Sequence, residues 1–94
     1  MKVIWTRRAI GHLVRLRRHI EKDSEENAAL VAGRILKAVD LLQLHPEIGR
    51  PGRINGTREL VVPDTPYIIP YRLRLERLEL IAVFHGRQKW PTGF

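Results

Sequence analysis

The 94 residues contain no cysteine. Neither a disulfide framework nor a thiolate metal site is available, and a reducing cytosol suits the chain as well as any compartment. A long apolar run is also missing. Met1-Lys2-Val3-Ile4-Trp5-Thr6-Arg7-Arg8 passes from a short apolar stretch straight into arginines, which fits neither a signal peptide nor a membrane span. We therefore expect a cytoplasmic protein with no membrane partner. No repeat or low-complexity segment is visible. His12 and His19 can share a helix face but lack a third ligand of suitable type nearby, so no metal is expected, and no cofactor.

Acidic residues are scarce. Ten Asp and Glu against seventeen Lys and Arg leave a net charge of +7, a field able to draw in nucleic acid or an acidic protein. The length predicts a single domain over residues 1–94 with one small core, so stability is modest and a bound partner adds to it appreciably.

Val3-Ile4-Trp5 reads as a strand, and Thr6 is placed to cap a helix running from about Arg7 to Lys22. Ala9, Leu13, Leu16 and Ile20 fall on one face of that helix, widened by Ile10 and Val14. Arg8, His12, Arg15, His19 and Lys22 lie opposite and read as a solvated row or a binding surface. Asp23-Ser24-Glu25-Glu26 opens a second helix, Asp23 offering the cap, that reaches about Leu44. Its apolar face is Ala28, Val31, Ala32, Ile35, Ala38, Val39 and Leu42, and the short connection implies an antiparallel hairpin. Breakers from Pro46 to Gly56 end the helical half.

Thr57 to Val62, Tyr67 to Leu75 and Leu78 to His85 read as a three-stranded meander. A two-residue turn at Glu76-Arg77 sets Leu75 opposite Leu78, Leu73 opposite Leu80, and Arg74 opposite Glu79 as an ion pair. Tyr71, Leu73, Leu75, Leu78, Leu80, Ala82 and Phe84 then share the core face, and Arg72, Arg74, Glu79, Ile81, Val83 and His85 the other. Two helices cover only one face of a small sheet, so the second face is expected to be polar. Instead it carries Val61, Ile68, Ile81 and Val83, an apolar strip bordered by Arg72, Arg74 and His85. Pro70 lacks an amide hydrogen and points to a bulge or an interrupted ladder nearby. The strip needs a cover, either the tail from His85 to Phe94 through Trp90 and Phe94, or another chain.

The element order, with Pro46-Glu47-Ile48-Gly49-Arg50-Pro51, Thr57-Arg58-Glu59-Leu60-Val61-Val62, Tyr67-Ile68-Ile69-Pro70-Tyr71-Arg72 and His85-Gly86-Arg87-Gln88-Lys89-Trp90-Pro91, resembles the RelE/ParE toxin family nearly end to end. The resemblance implies an α+β, RelE-like two-layer fold of order β-α-α-β-β-β. In it an antiparallel helix hairpin packs on one face of a small, mainly antiparallel sheet. It also implies the toxin of a type II toxin-antitoxin system, hetero-oligomeric with a small antitoxin. On that reading the antitoxin binds Val61, Ile68, Ile81, Val83 and Trp90, and the target meets Arg58, Arg72, Arg74, Arg87 and Lys89.

The family holds two chemistries. RelE-like members cut ribosome-bound mRNA, and ParE-like members poison DNA gyrase. RNA cleavage needs a base, an acid and cations converging on one phosphate. At the positions resembling the ribonuclease site this chain has Glu59, Val61 and Ile68, and only Arg87 is basic. The ParE branch, not an enzyme, is therefore the leading reading. A ribonuclease using His85, Arg72 and Arg87 is the second, since His85 can move protons near neutrality. A non-toxic nucleic-acid-binding module built on the basic helix face is the third.

Overall fold

The structure, a computed structural model, describes residues 1–94. Strand β1 (Lys2–Trp5) leads into α1 (Arg7–Glu21) and α2 (Glu25–Leu44). Strands β2 (Arg50–Pro51), β3 (Arg58–Val61), β4 (Tyr67–Arg74), β5 (Arg77–Leu80) and β6 (Phe84–His85) follow. The sheet order is β1-β5-β4-β3-β2, with β6 on β4 beyond the end of β5. Only the β1–β5 pair is parallel. This is the expected α+β architecture, two helices on an open sheet. The short strand β2 is an addition to the expected order, and the expected last strand from Leu78 to His85 is divided into β5 and β6.

Local chemistry explains the helices. The Thr6 hydroxyl accepts the Ala9 amide and caps α1 as expected. The cap of α2 is Ser24, not Asp23; its hydroxyl accepts the Asn27 amide, and Glu25 and Glu26 then occupy the first turn at the positive end of the helix dipole. The α2 core face is as expected, with Ala28, Ala32, Ile35, Ala38, Val39 and Leu42 buried. Ile10 and Val14 do not widen the core stripe of α1; both are exposed.

Tyr71 ties the loop after α2 to the sheet. Its hydroxyl donates to the Pro46 carbonyl at 2.7 Å and accepts the Gly49 amide at 2.9 Å. Gly49 packs directly against this side chain, where a Cβ would sit 2.5 Å from the hydroxyl oxygen. The Arg58 guanidinium closes the same loop onto the carbonyls of Glu47 and Gly49.

The β4–β5 turn is Leu75-Glu76, one residue earlier than expected. Both residues have positive φ, 47° and 64°, as a two-residue hairpin turn requires. Arg74 therefore faces Arg77, Leu73 faces Leu78 and Arg72 faces Glu79. The ion pair belongs to Arg72, whose Nε lies 2.8 Å from Glu79, and not to Arg74. Leu75 leaves the core face for the turn, where it is 93% exposed. Lys2 pairs with Arg77 across the parallel edge, so Lys2, Arg77 and Arg74 form a row of three cations on adjacent strands.

The side-chain parity survives this shift, because the register moves by two. It does not survive the next irregularity. Tyr71 pairs with Leu80 in β5, but Ile68 pairs with Phe84 in β6. The last strand thus carries one extra residue between these points, a bulge opposite the Pro70 that lacks a donor. Residues 81–83 leave the ladder, and their backbone bonds elsewhere. The Ile81 amide reaches the Pro70 carbonyl, the single Thr6 Oγ1–H is shared between the carbonyls of Leu80 and Ile81, and the Val83 amide donates to His12 Nδ1 at 3.1 Å.

Replacing Gly49 by Ala should lower stability by roughly 2 kcal/mol through overpacking against Tyr71. Urea unfolding should show a reduced midpoint with an unchanged slope.

Candidate functional site

The extra residue in the last strand decides where every candidate side chain points. Val83 turns inward and joins the main core under the helices. Ile81, Ala82 and Phe84 form a separate buried cluster, packed against Trp90. The expected outward strip of Val61, Ile68, Ile81 and Val83 is therefore corrected. Val83 lies beneath α1, Ile81 is covered by the chain's own tail, and Val61 and Ile68 alone stay at the surface, facing each other across β3 and β4. Ala82 and Phe84 likewise leave the face on which alternation placed them.

The cover is an aromatic stack. The Trp90 ring lies 4.7 Å from that of Phe84, and Phe94 stacks on Phe84 from 6.2 Å. The Arg53 guanidinium caps Trp90 at 3.5 Å, a cation–π contact. Arg53 is itself held by Glu59. The Glu59 carboxylate, only 3% exposed, accepts from the Arg53 amide at 2.8 Å and from the guanidiniums of Arg53 and Arg50. Burial alone would raise its pKa. The Arg53 amide and the two guanidiniums more than offset that and hold the carboxyl below the usual carboxylate range. Trp90 Nε1 is buried without an acceptor, so the tail's closure leaves one polar group unsatisfied.

The bulge also separates the residues proposed for RNA cleavage. His85 pairs with Tyr67, their rings edge to face at 5.7 Å, and so turns toward the helix side. Arg72 lies five positions along β4, about 16 Å at strand rise, on the other face and tied to Glu79. It does not flank His85. Arg87 is exposed in the tail, with its amide donating to His85 Nδ1. Of the other cations, Arg58 is committed to the loop carbonyls, while Arg74 and Lys89 stand exposed.

A residue placed in the solvated row proves to be structural. His12 is half-buried, accepts the Val83 amide and touches the Phe84 ring at 5.3 Å. Burial, then the neighbouring charges of Arg15 and Arg8, lower its pKa. Its position between Arg8 and Arg15 on a polar helix face gave no signal of this, because the amide it receives comes from the bulge. Arg53 was missed for a similar reason, its partner Trp90 lying far along the chain. No cluster of metal-ligating residues occurs, and no helix is long and apolar enough to cross a membrane.

Comparison with known proteins gives a consistent result. Residues 3–90 match the family model described as the ParE toxin of type II toxin-antitoxin system, parDE. The toxin candidate Y4kP of Sinorhizobium fredii is 49% identical over 90 residues, spanning 96% of this chain and 93% of that protein. A chain from the chromosomal ParDE toxin-antitoxin system of P. aeruginosa superposes with a TM-score of 0.82 at 25% identity, covering 90% of this chain and 95% of its own.

Because the His12 pKa is lowered on folding, its contribution to stability is complete above the unfolded value of 6.5 and is lost as pH falls through it toward the folded value. Urea midpoints should decline below that pH in the wild type. His12→Asn, which keeps an acceptor for the Val83 amide but cannot titrate, should flatten the decline.

Proposed function

The chain belongs to the ParE toxin family of type II toxin-antitoxin systems, and on that footing we propose that it acts in the cytoplasm as an inhibitor of DNA gyrase, neutralised by a small antitoxin. The observation that carries this reading is the dispersal of the side chains an RNA-cleaving site would require. His85 turns to the helix side, Arg72 is paired with Glu79 on the other face, and Arg87 lies out on the tail. The Glu59 carboxylate is enclosed by two arginines. No acid, base and cation converge on the helix-free face, so inhibition by binding is favoured over phosphodiester cleavage.

The antitoxin contact falls on Val61, Ile68 and Trp90. Val61 is 47% exposed, and Trp90 is a large, partly exposed aromatic of the kind that anchors interfaces. The free cations Arg74, Arg87 and Lys89 are left for the target, where they would steer encounter with an acidic surface.

Induced expression should arrest growth and accumulate broken DNA while transcripts remain whole, and co-expression of the antitoxin should relieve the arrest. Cut ribosome-bound transcripts with intact DNA would instead establish the ribonuclease reading. Binding to bare nucleic acid without growth arrest would establish the non-toxic module. Val61→Asp, at an exposed position, should leave the unfolding midpoint within experimental error and weaken antitoxin binding about tenfold or more. Unchanged affinity would remove Val61 from the interface.

A further inference from the structure

A second concave site lies on the helix side, where α1 meets the end of β4, β6 and the start of the tail. It is a cleft of about 270 Å³ whose polar lining is His12, Arg15, Tyr67, His85 and Gln88. No lining residue is acidic, and Arg15 takes part in no ion pair. The hydrogen-bonding pattern makes the other groups donors too. His12 Nδ1 accepts the Val83 amide and His85 Nδ1 accepts the Arg87 amide, each at 3.1 Å. Each neutral ring therefore keeps its proton on Nε2. Gln88 spends its carbonyl oxygen on the His85 amide at 2.8 Å, leaving its NH₂ free. Burial pushes the Tyr67 phenol up, so its hydroxyl retains its proton.

We propose that this cleft binds a phosphate ester. A guanidinium, two imidazole N–H groups, a phenol and an amide, supplied by four chain segments, surround a space that offers no carboxylate. A tetrahedral oxyanion presents acceptors in several directions and matches donors arranged around it, whereas a carboxylate presents them in one plane. The volume exceeds that of the ion alone and leaves room for the group esterified to it. The same pattern limits the site to binding. With both Nδ1 atoms occupied by backbone amides, neither imidazole has a free nitrogen to abstract a proton. The ester can come from a free mononucleotide or from a nucleic-acid backbone. None of the polar side chains that line the site is among those assigned under the proposed function to the antitoxin or the target, and its test is independent of either.

The test follows the imidazole nitrogens of the full-length protein by NMR during titration with inorganic phosphate, a nucleoside 5′-monophosphate and a short single-stranded oligonucleotide. Acetate and chloride at matched ionic strength, and an acidic peptide, serve as controls. The His12 and His85 Nε2 signals should shift saturably with the phosphate compounds, the Trp5 indole should not move, and Arg15→Gln should weaken binding about tenfold or more. Tyr67→Phe should retain the fold and bind more weakly. Tighter binding of the oligonucleotide than of the monophosphate would identify the source as backbone, and the reverse order a free nucleotide. A response that is absent, that acetate, chloride or the acidic peptide reproduces, or that survives in Arg15→Gln would overturn the proposal.

Discussion

The arrangement depends on one surplus residue between Leu80 and Phe84, in the segment that finishes the sheet. A bulge in a central position leaves backbone groups without ladder partners, and buried ones cost on the order of 1–3 kcal/mol each if left unpaired. Here both ends of the difficulty are met. Pro70 has no amide hydrogen to lose, so the ladder beside it was already incomplete. The displaced groups are taken up by Thr6 and His12 from α1. The cap residue of the first helix thus holds that helix against the sheet as well as starting it. Inverting the parity of everything after it, the bulge buries Val83 under the helices, turns His85 toward them and presents Phe84 to the tail.

The tail is fastened by a chain of dependent contacts. Glu59 is enclosed and ionised because Arg50 and Arg53 are there, Arg53 is fixed because Glu59 is there, and the fixed guanidinium lies on Trp90. A buried carboxylate of this kind is costly unless fully paired, so its value lies more in position than in net stability. The motif segments acquire physical meaning in the same way. Pro46 and Gly49 serve the Tyr71 hydroxyl and ring, and Arg50 serves Glu59.

Most of the scaffold was legible because it rests on local rules. The cap at Thr6, the extents of both helices and the α2 core face follow from periodicity and end chemistry. The strand faces were legible up to Leu80, since a register error of two residues returns every side chain to the same side. Turn choice was not, because neither Leu75-Glu76 nor Glu76-Arg77 is a preferred turn pair. The Arg72–Glu79 bond and the Leu73–Leu78 contact between them favour the register that is found. Pro70 announced an irregularity but not its size, and one residue rather than two reverses inside and outside. That is why Val83 and His85 were placed on the wrong side, and why the cleft lined by His12 and His85 left no trace in the linear pattern.

Lys2, Arg77 and Arg74 sit side by side on three neighbouring strands, and Glu79, whose hydrogen bond goes to Arg72, also feels the charges of Arg74 and Arg77. Like charges set opposite one another oppose strand pairing by a few tenths of a kcal/mol each. This margin of the molecule therefore sets repulsion among three cations against the pull of one shared carboxylate, and dissolved salt softens both.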